Sequence, residues 1–129
     1  MVPSLESPPV RRVAVLGASA NPDRYSNLLI RRLQEKGHEV FPVNPALKEI
    51  GGLKVYPDLE TLPRGLDVLS VYLNPARSQA LAGSILASAI PKVVFNPGAE
   101  NPELERALAA KGSEVLEACS LVLSGMNEL

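Results

Sequence analysis

Val13-Ala14-Val15-Leu16-Gly17-Ala18-Ser19-Ala20-Asn21-Pro22 reads as a buried parallel strand that runs into a turn of small residues. The strand, Arg12 to Leu16, is apolar at consecutive positions, as a strand covered on both faces must be. The turn delivers the chain to an amphipathic helix, Ser26 to Lys36, that places Leu28, Leu29, Leu33 and Ile30 inward and Arg31, Arg32, Glu35 and Lys36 outward. A strand, a Gly/Ser turn and a helix N-terminus in that order form an anion site. Small residues let backbone N–H groups approach a phosphate, and the helix end adds positive partial charge.

Working outward, the same alternation repeats. Gly37 stops the helix. Glu39 to Val43 is a second strand, ended by Asn44-Pro45, and Ala46 to Pro57 is a long connection with a short extended piece at Lys54-Val55. Leu59 to Leu62 suggests one helical turn capped by Asp58. Asp67 to Leu73 is a third strand ended by Asn74-Pro75, followed by a helix from Ala76 to Ser88. Lys92 to Phe95 is a fourth strand ended by Asn96-Pro97-Gly98. Asn101 and Pro102 start a helix that runs to Lys111. Ser113 to Glu117 is a fifth strand, and the tail from Ala118 fits a short helix or an edge strand. Residues 1–11 read as an extended N-terminal arm, since Pro3, Pro8 and Pro9 forbid a helix.

The pattern predicts one α/β domain over residues 1–129. It is Rossmann-like and doubly wound, with about five parallel strands in the order 3-2-1-4-5 and helices on both faces. Ligands then bind at the carboxyl ends of the strands, beside the switch between strands one and four.

Composition narrows the function. The 129 residues carry a net charge of −1 and only 4% aromatics, which weighs against a nucleic-acid surface. No apolar run is long enough to span a bilayer. Cys119 is the single cysteine, so an intrachain disulfide and a Cys-rich zinc site are excluded, and a reducing, cytoplasmic setting fits. Met1 to Pro9 do not read as a signal peptide. Catalytic equipment is sparse. His38 belongs at the amino end of strand two, away from the crevice, so no Ser-His-Asp set can be assembled. Cys119, in an apolar stretch, reads as an inert thiol, and Asp23, Glu100 and Glu103 fit helix starts.

The crevice residues point to a phosphorylated ligand. Ser19 stands where a dinucleotide fingerprint has its second glycine, and Arg24 lies just ahead of the helix. An NAD site wants a carboxylate at the end of strand two, but the chain has Asn44 and Pro45, then Lys48. That exchange favours a phosphorylated ribose, as in NADP or coenzyme A. Asparagine at three strand ends offers donors and acceptors to a ligand.

On these residues the chain resembles the stand-alone CoA-binding protein family, which is similar to the CoA-binding domain of the succinyl-CoA synthetase α subunit. The resemblance rests on Val13 to Pro22 with Arg24, on Val40 to Pro45, on Gly52 to Pro57 and on Asp67-Val68. It implies that Gly17, Ala18, Ser19 and Arg24 hold the phosphates of CoA, and that Asn44, Pro45 and Lys48 flank its 3′-phosphate end. It further implies that Leu73, Asn74 and Pro75 line the adenine or pantetheine path, and that Asn96, Pro97 and Gly98 border the far side. The chain departs from the family pattern at Asn96-Pro97-Gly98, where a Gln-x-Gly-type turn is usual. The expected function is binding of CoA or an acyl-CoA without catalysis. The alternatives are an NAD(P)-binding domain of an oxidoreductase and a subunit of a larger acyl-CoA ligase. A homodimer and a ligase partner both stay open, and no nucleic acid or membrane partner is expected.

Overall fold

The computed structural model describes residues 9–129. Most of the expected N-terminal arm lies outside the described residues; Pro9, Val10 and Arg11 have no regular secondary structure. The sheet is built from β1 (Arg12–Leu16), β2 (Glu39–Val43), β5 (Val68–Val71), β6 (Lys92–Phe95) and β7 (Glu114–Glu117), all parallel. A two-stranded hairpin, β3 (Glu49–Ile50) and β4 (Leu53–Lys54), turns through Gly51-Gly52, both at positive φ. The helices are α1 (Tyr25–Glu35), α2 (Pro75–Ala80), α3 (Ala82–Ser88), α4 (Pro102–Ala110) and α5 (Ser120–Gly125). No helix among the described residues is long and apolar enough to cross a membrane.

The core is divided by the sheet. Val13 and Val15 of β1 face Leu29, Ile30 and Leu33 of α1, with Leu121 and Leu123 of α5 packed alongside. Ala14 and Leu16 face the other way, into a layer with Ile85 of α3 and Leu104 and Leu108 of α4. Val13, Ala14 and Val15 have no exposed surface, which is why the run needs apolar residues at every position rather than alternate ones. Each of the three buried α1 side chains contributes about 1.5–3 kcal/mol by leaving water.

The doubly wound architecture is as expected, but the strand order is not 3-2-1-4-5. The order is β2-β1-β5-β6-β7, so the strand expected outside β2 lies on the other side of β1. The physical reason is burial. Val68 to Val71 is buried at all four positions and fits only the interior of a sheet. The place outside β2 is taken by a shorter piece, where Tyr56 N donates to Pro42 O at 2.8 Å and Asn44 N to Tyr56 O at 3.0 Å. Pro57 prevents that piece from growing into a full strand. The switch point is therefore between β1 and β5.

Two further points are local, a departure in one helix and the choice between the two forms open to the tail. The helix expected from Ala76 to Ser88 breaks at Leu81, whose N–H donates to Ser78 O rather than one residue further back, a tightened turn that separates α2 from α3. The tail forms a helix, α5, on the α1 face.

Beyond the switch, Asn96 joins three elements. Its Nδ2 donates to Ser70 Oγ and to Val71 O, each at 2.9 Å, and its Oδ1 accepts from Ser120 N at 2.8 Å. Ser70 and Ser120 share a hydrogen bond of 2.7 Å. All three side chains are buried, so losing one partner strands the others in a dry interior. Asn96→Ala is expected to lower stability by about 2–3 kcal/mol, measured by urea denaturation. A change under about 0.5 kcal/mol would remove the network from its structural role.

Candidate functional site

The cleft forms where β1 ends. Gly17 has φ +88°, and a Cβ there would meet Leu73 Cδ2 at 3.0 Å and the Tyr72 carbonyl carbon at 3.2 Å. Both the left-handed backbone and the close approach of the β5 exit require glycine. Gly17 N and Ala18 N each donate to Val43 O at 3.2 Å, so these two amides bind the turn to β2. The amides of Ser19, Ala20, Tyr25 and Ser26 meet no protein acceptor among the described residues. The last two open α1, where unpaired N–H groups and the helix dipole favour an anion.

The turn is held in shape by its own polar groups. Asn27 Nδ2 donates to Ser19 O at 2.8 Å, and Ser19 Oγ accepts from Asn21 N at 3.1 Å. Asn21 Oδ1 accepts from Asp23 N at 2.9 Å. Arg31, expected merely to face outward, donates to Asn27 Oδ1 at 3.0 Å and to Pro22 O at 2.9 Å.

Three more walls complete a cleft of about 770 Å³, within the range of small-molecule sites. The β2 exit supplies Asn44 to Leu47, the loop after Tyr56 supplies Pro57 to Glu60, and α2 with α3 supplies Arg77, Ala80, Leu81 and Ser84. Asp58 Oδ1 accepts from Thr61 N at 2.9 Å, as expected of a cap, and Glu60 Oε2 accepts from Ser84 Oγ at 2.5 Å. No histidine or cysteine lines the cleft, and the described residues hold no group of three metal-ligating side chains.

Of the residues singled out in the sequence, Gly17, Ala18, Ser19, Arg24, Asn44, Pro45 and Leu73 line this one cleft. Lys48, Asn74, Pro75, Asn96, Pro97 and Gly98 do not. Lys48 is exposed one residue beyond Leu47, which is on the wall. Each asparagine side chain bonds to the protein's own backbone. Asn44 Oδ1 accepts from Ala46 N at 2.7 Å and Leu47 N at 3.2 Å, while its Nδ2 donates to Ala18 O at 2.9 Å. Asn74 Oδ1 caps α2 by accepting from Arg77 N at 2.9 Å. Arg77, Leu59 and Leu81 were not among the site residues read from the sequence; for Arg77 the available signal was a cation three residues after a strand-ending asparagine.

Two titratable groups near the sheet ends are perturbed. Burial pushes the Tyr72 phenol well above its ordinary range, and its buried oxygen has no hydrogen-bond partner among the described residues. His38 lies at the opposite edge of the sheet, accepting from Arg11 N at 2.9 Å. Partial burial, then the nearby Lys36 and Arg11 charges, lowers its imidazole below the usual value.

The family model for the CoA binding domain matches residues 11–125, which span the strand, the glycine turn and the helix start at this cleft. The chain belongs to the CoA-binding domain family. It is 30% identical to YneT of Bacillus subtilis over 106 residues, covering 82% of this chain and 78% of that one. It is 30% identical to the ADP-forming acetate–CoA ligase I of Archaeoglobus fulgidus over 125 residues, covering 89% of this chain but only 17% of the ligase. A solved Thermus thermophilus structure, cell-free ID.343, superposes with a TM-score of 0.85 at 30% identity, covering 92% of this chain and 90% of that one.

Gly17→Ala is expected to cost more stability than Gly37→Ala. Both glycines have positive φ, worth about 1–2 kcal/mol when a side chain is added, but nothing lies within 4 Å of a Cβ at Gly37. Thermal melts of the two variants check this, and equal losses would show that the Tyr72–Leu73 contact yields freely.

Proposed function

We propose that the chain binds coenzyme A, or an acyl-CoA, in the cleft at the β1 turn, as a binding module without chemistry of its own. The observation that carries this reading is the set of unpartnered amides at Ser19, Tyr25 and Ser26, three residues that line a cleft that Arg24 also lines. Amides without acceptors and an arginine without a carboxylate suit a phosphate group. The family membership supports CoA as the compound that brings it. The β2 exit offers neutral Asn44, whose side chain is already bonded within the protein, in place of the carboxylate that holds the diol of NAD. Lys48, exposed beyond Leu47, is the cation nearest in sequence to that exit and is assigned to the 3′-phosphate.

A second reading has its own support. The alignment covers most of this chain and a small part of the Archaeoglobus fulgidus ligase, so the domain is suited to service as one part of an acyl-CoA ligase whose other parts perform the reaction. CoA binding is common to both readings.

Calorimetric titration of the ligand-stripped chain with CoA, NAD and NADP tests the proposal. Micromolar binding of CoA and no heat from either nicotinamide cofactor is expected, a level of affinity worth about 8 kcal/mol. Binding of NADP in preference to CoA would overturn it. In the same experiment Lys48→Ala is expected to weaken CoA more than dephospho-CoA, and equal losses would take the 3′-phosphate away from Lys48.

A further inference from the structure

We propose that Arg77 is the second arm of a clamp on the ligand's diphosphate, facing Arg24 across the cleft. The inference rests on the reading of the cleft as a CoA site and names a residue that the sequence did not single out. Among the described residues Arg24 and Arg77 are the only cationic side chains on the cleft walls. Both are exposed, and neither guanidinium donates to a protein acceptor among the described residues, where the single ion pair is Arg12 with Glu39. Arg11, Arg12 and Arg31, by contrast, are tied to carbonyl oxygens. The two carboxylates on the walls, Asp58 and Glu60, accept from Thr61 N and Ser84 Oγ and form no ion pair with either arginine among the described residues.

Position supports the role. The backbone of Gly17 lies against Tyr72 and Leu73, so the segment that leads into α2 forms a wall of the phosphate turn itself. Arg24 enters from the α1 side and Arg77 from the α2 side. The turn also lacks donors that a more open glycine loop would offer, since Gly17 N and Ala18 N are both bonded to Val43 O. A guanidinium fork supplies paired donors to phosphate oxygens in their place.

The base of Arg77 is fixed, although α2 is short and on the surface. Asn74 caps its first turn by accepting from Arg77 N. On its far side the Asn101 amide donates to Ser78 Oγ at 2.9 Å, Gln79 Oε1 at 3.2 Å and Pro75 O at 3.4 Å. Two asparagines thus hold the helix from which the guanidinium projects, and a group so placed loses less freedom on binding.

The test compares the full chain with Arg77→Ala and Arg77→Lys, using CoA and dephospho-CoA by calorimetry and inorganic pyrophosphate as a competitor. Both coenzymes carry the diphosphate, and only CoA carries the 3′-phosphate. Arg77→Ala is expected to weaken both by a similar factor, about tenfold or more for a lost charge-assisted pair. It is also expected to blunt competition by pyrophosphate and to leave the melting temperature unchanged. Arg77→Lys restores part of the affinity. A loss confined to CoA would overturn the proposal by moving Arg77 to the 3′-phosphate, and unchanged affinities would overturn it outright. If the unaltered chain binds neither coenzyme, the CoA reading itself falls and takes the clamp with it. If the unaltered chain binds and Arg77→Ala binds equally well, only the clamp falls.

Discussion

The contact on which the architecture depends is the approach of the Gly17 backbone to Tyr72 and Leu73. It occurs because β1 lies between β2 and β5, so the turn that leaves β1 is pressed against the exit of its neighbour on one side and bonded to Val43 on the other. No side chain fits there. The chain must leave the sheet in the left-handed region, and that geometry aims the start of α1 at the cleft. Fold and cleft therefore share one constraint: the residue that lets the sheet close around β1 also lines the cleft at its exit.

Asparagine followed by proline recurs at Asn21, Asn44, Asn74, Asn96 and Asn101. Four of these side chains accept from backbone amides two or three residues on, at Asp23, Ala46, Arg77 and Leu104. Asparagine closes the turn while proline fixes the next φ and withholds a donor that the turn has no use for. Asn96 is the exception. It is buried, and its amide reaches across the sheet to β5 and α5 instead of along its own chain. The dipeptide looks the same in the sequence at all five places; only at Asn96 does the side-chain oxygen accept from a distant element, Ser120 N, instead of closing a local turn.

This difference marks how far the sequence could be read. Strands and helices were legible because burial on two faces writes continuous apolar runs such as Val13 to Leu16, and because caps such as Asn101-Pro102 carry a local signature. The β1 turn was legible for the same reason. The order of the strands was not, since apolar length shows that Val68 to Val71 is a strand without saying which neighbours bury it. Asn44, Asn74 and Asn96 were read as facing a ligand because their donors and acceptors were visible and their protein partners were not. Arg77 went unread because one arginine in a helix resembles any solvated arginine until the opposite wall is known.

The short bridge at Tyr56 has a consequence for the protein's behaviour in a crowded solution. A sheet exposes backbone donors and acceptors along its outermost strands, where another chain can add itself. On the β2 side that invitation is largely withdrawn, because Pro42 has no N–H and its carbonyl, with the Asn44 amide, is already occupied by Tyr56. On the far side β7 begins and ends with exposed Glu114 and Glu117, whose like charges repel a second copy laid in register. A stretch too short to count as a strand thus helps to keep the sheet from growing beyond one molecule.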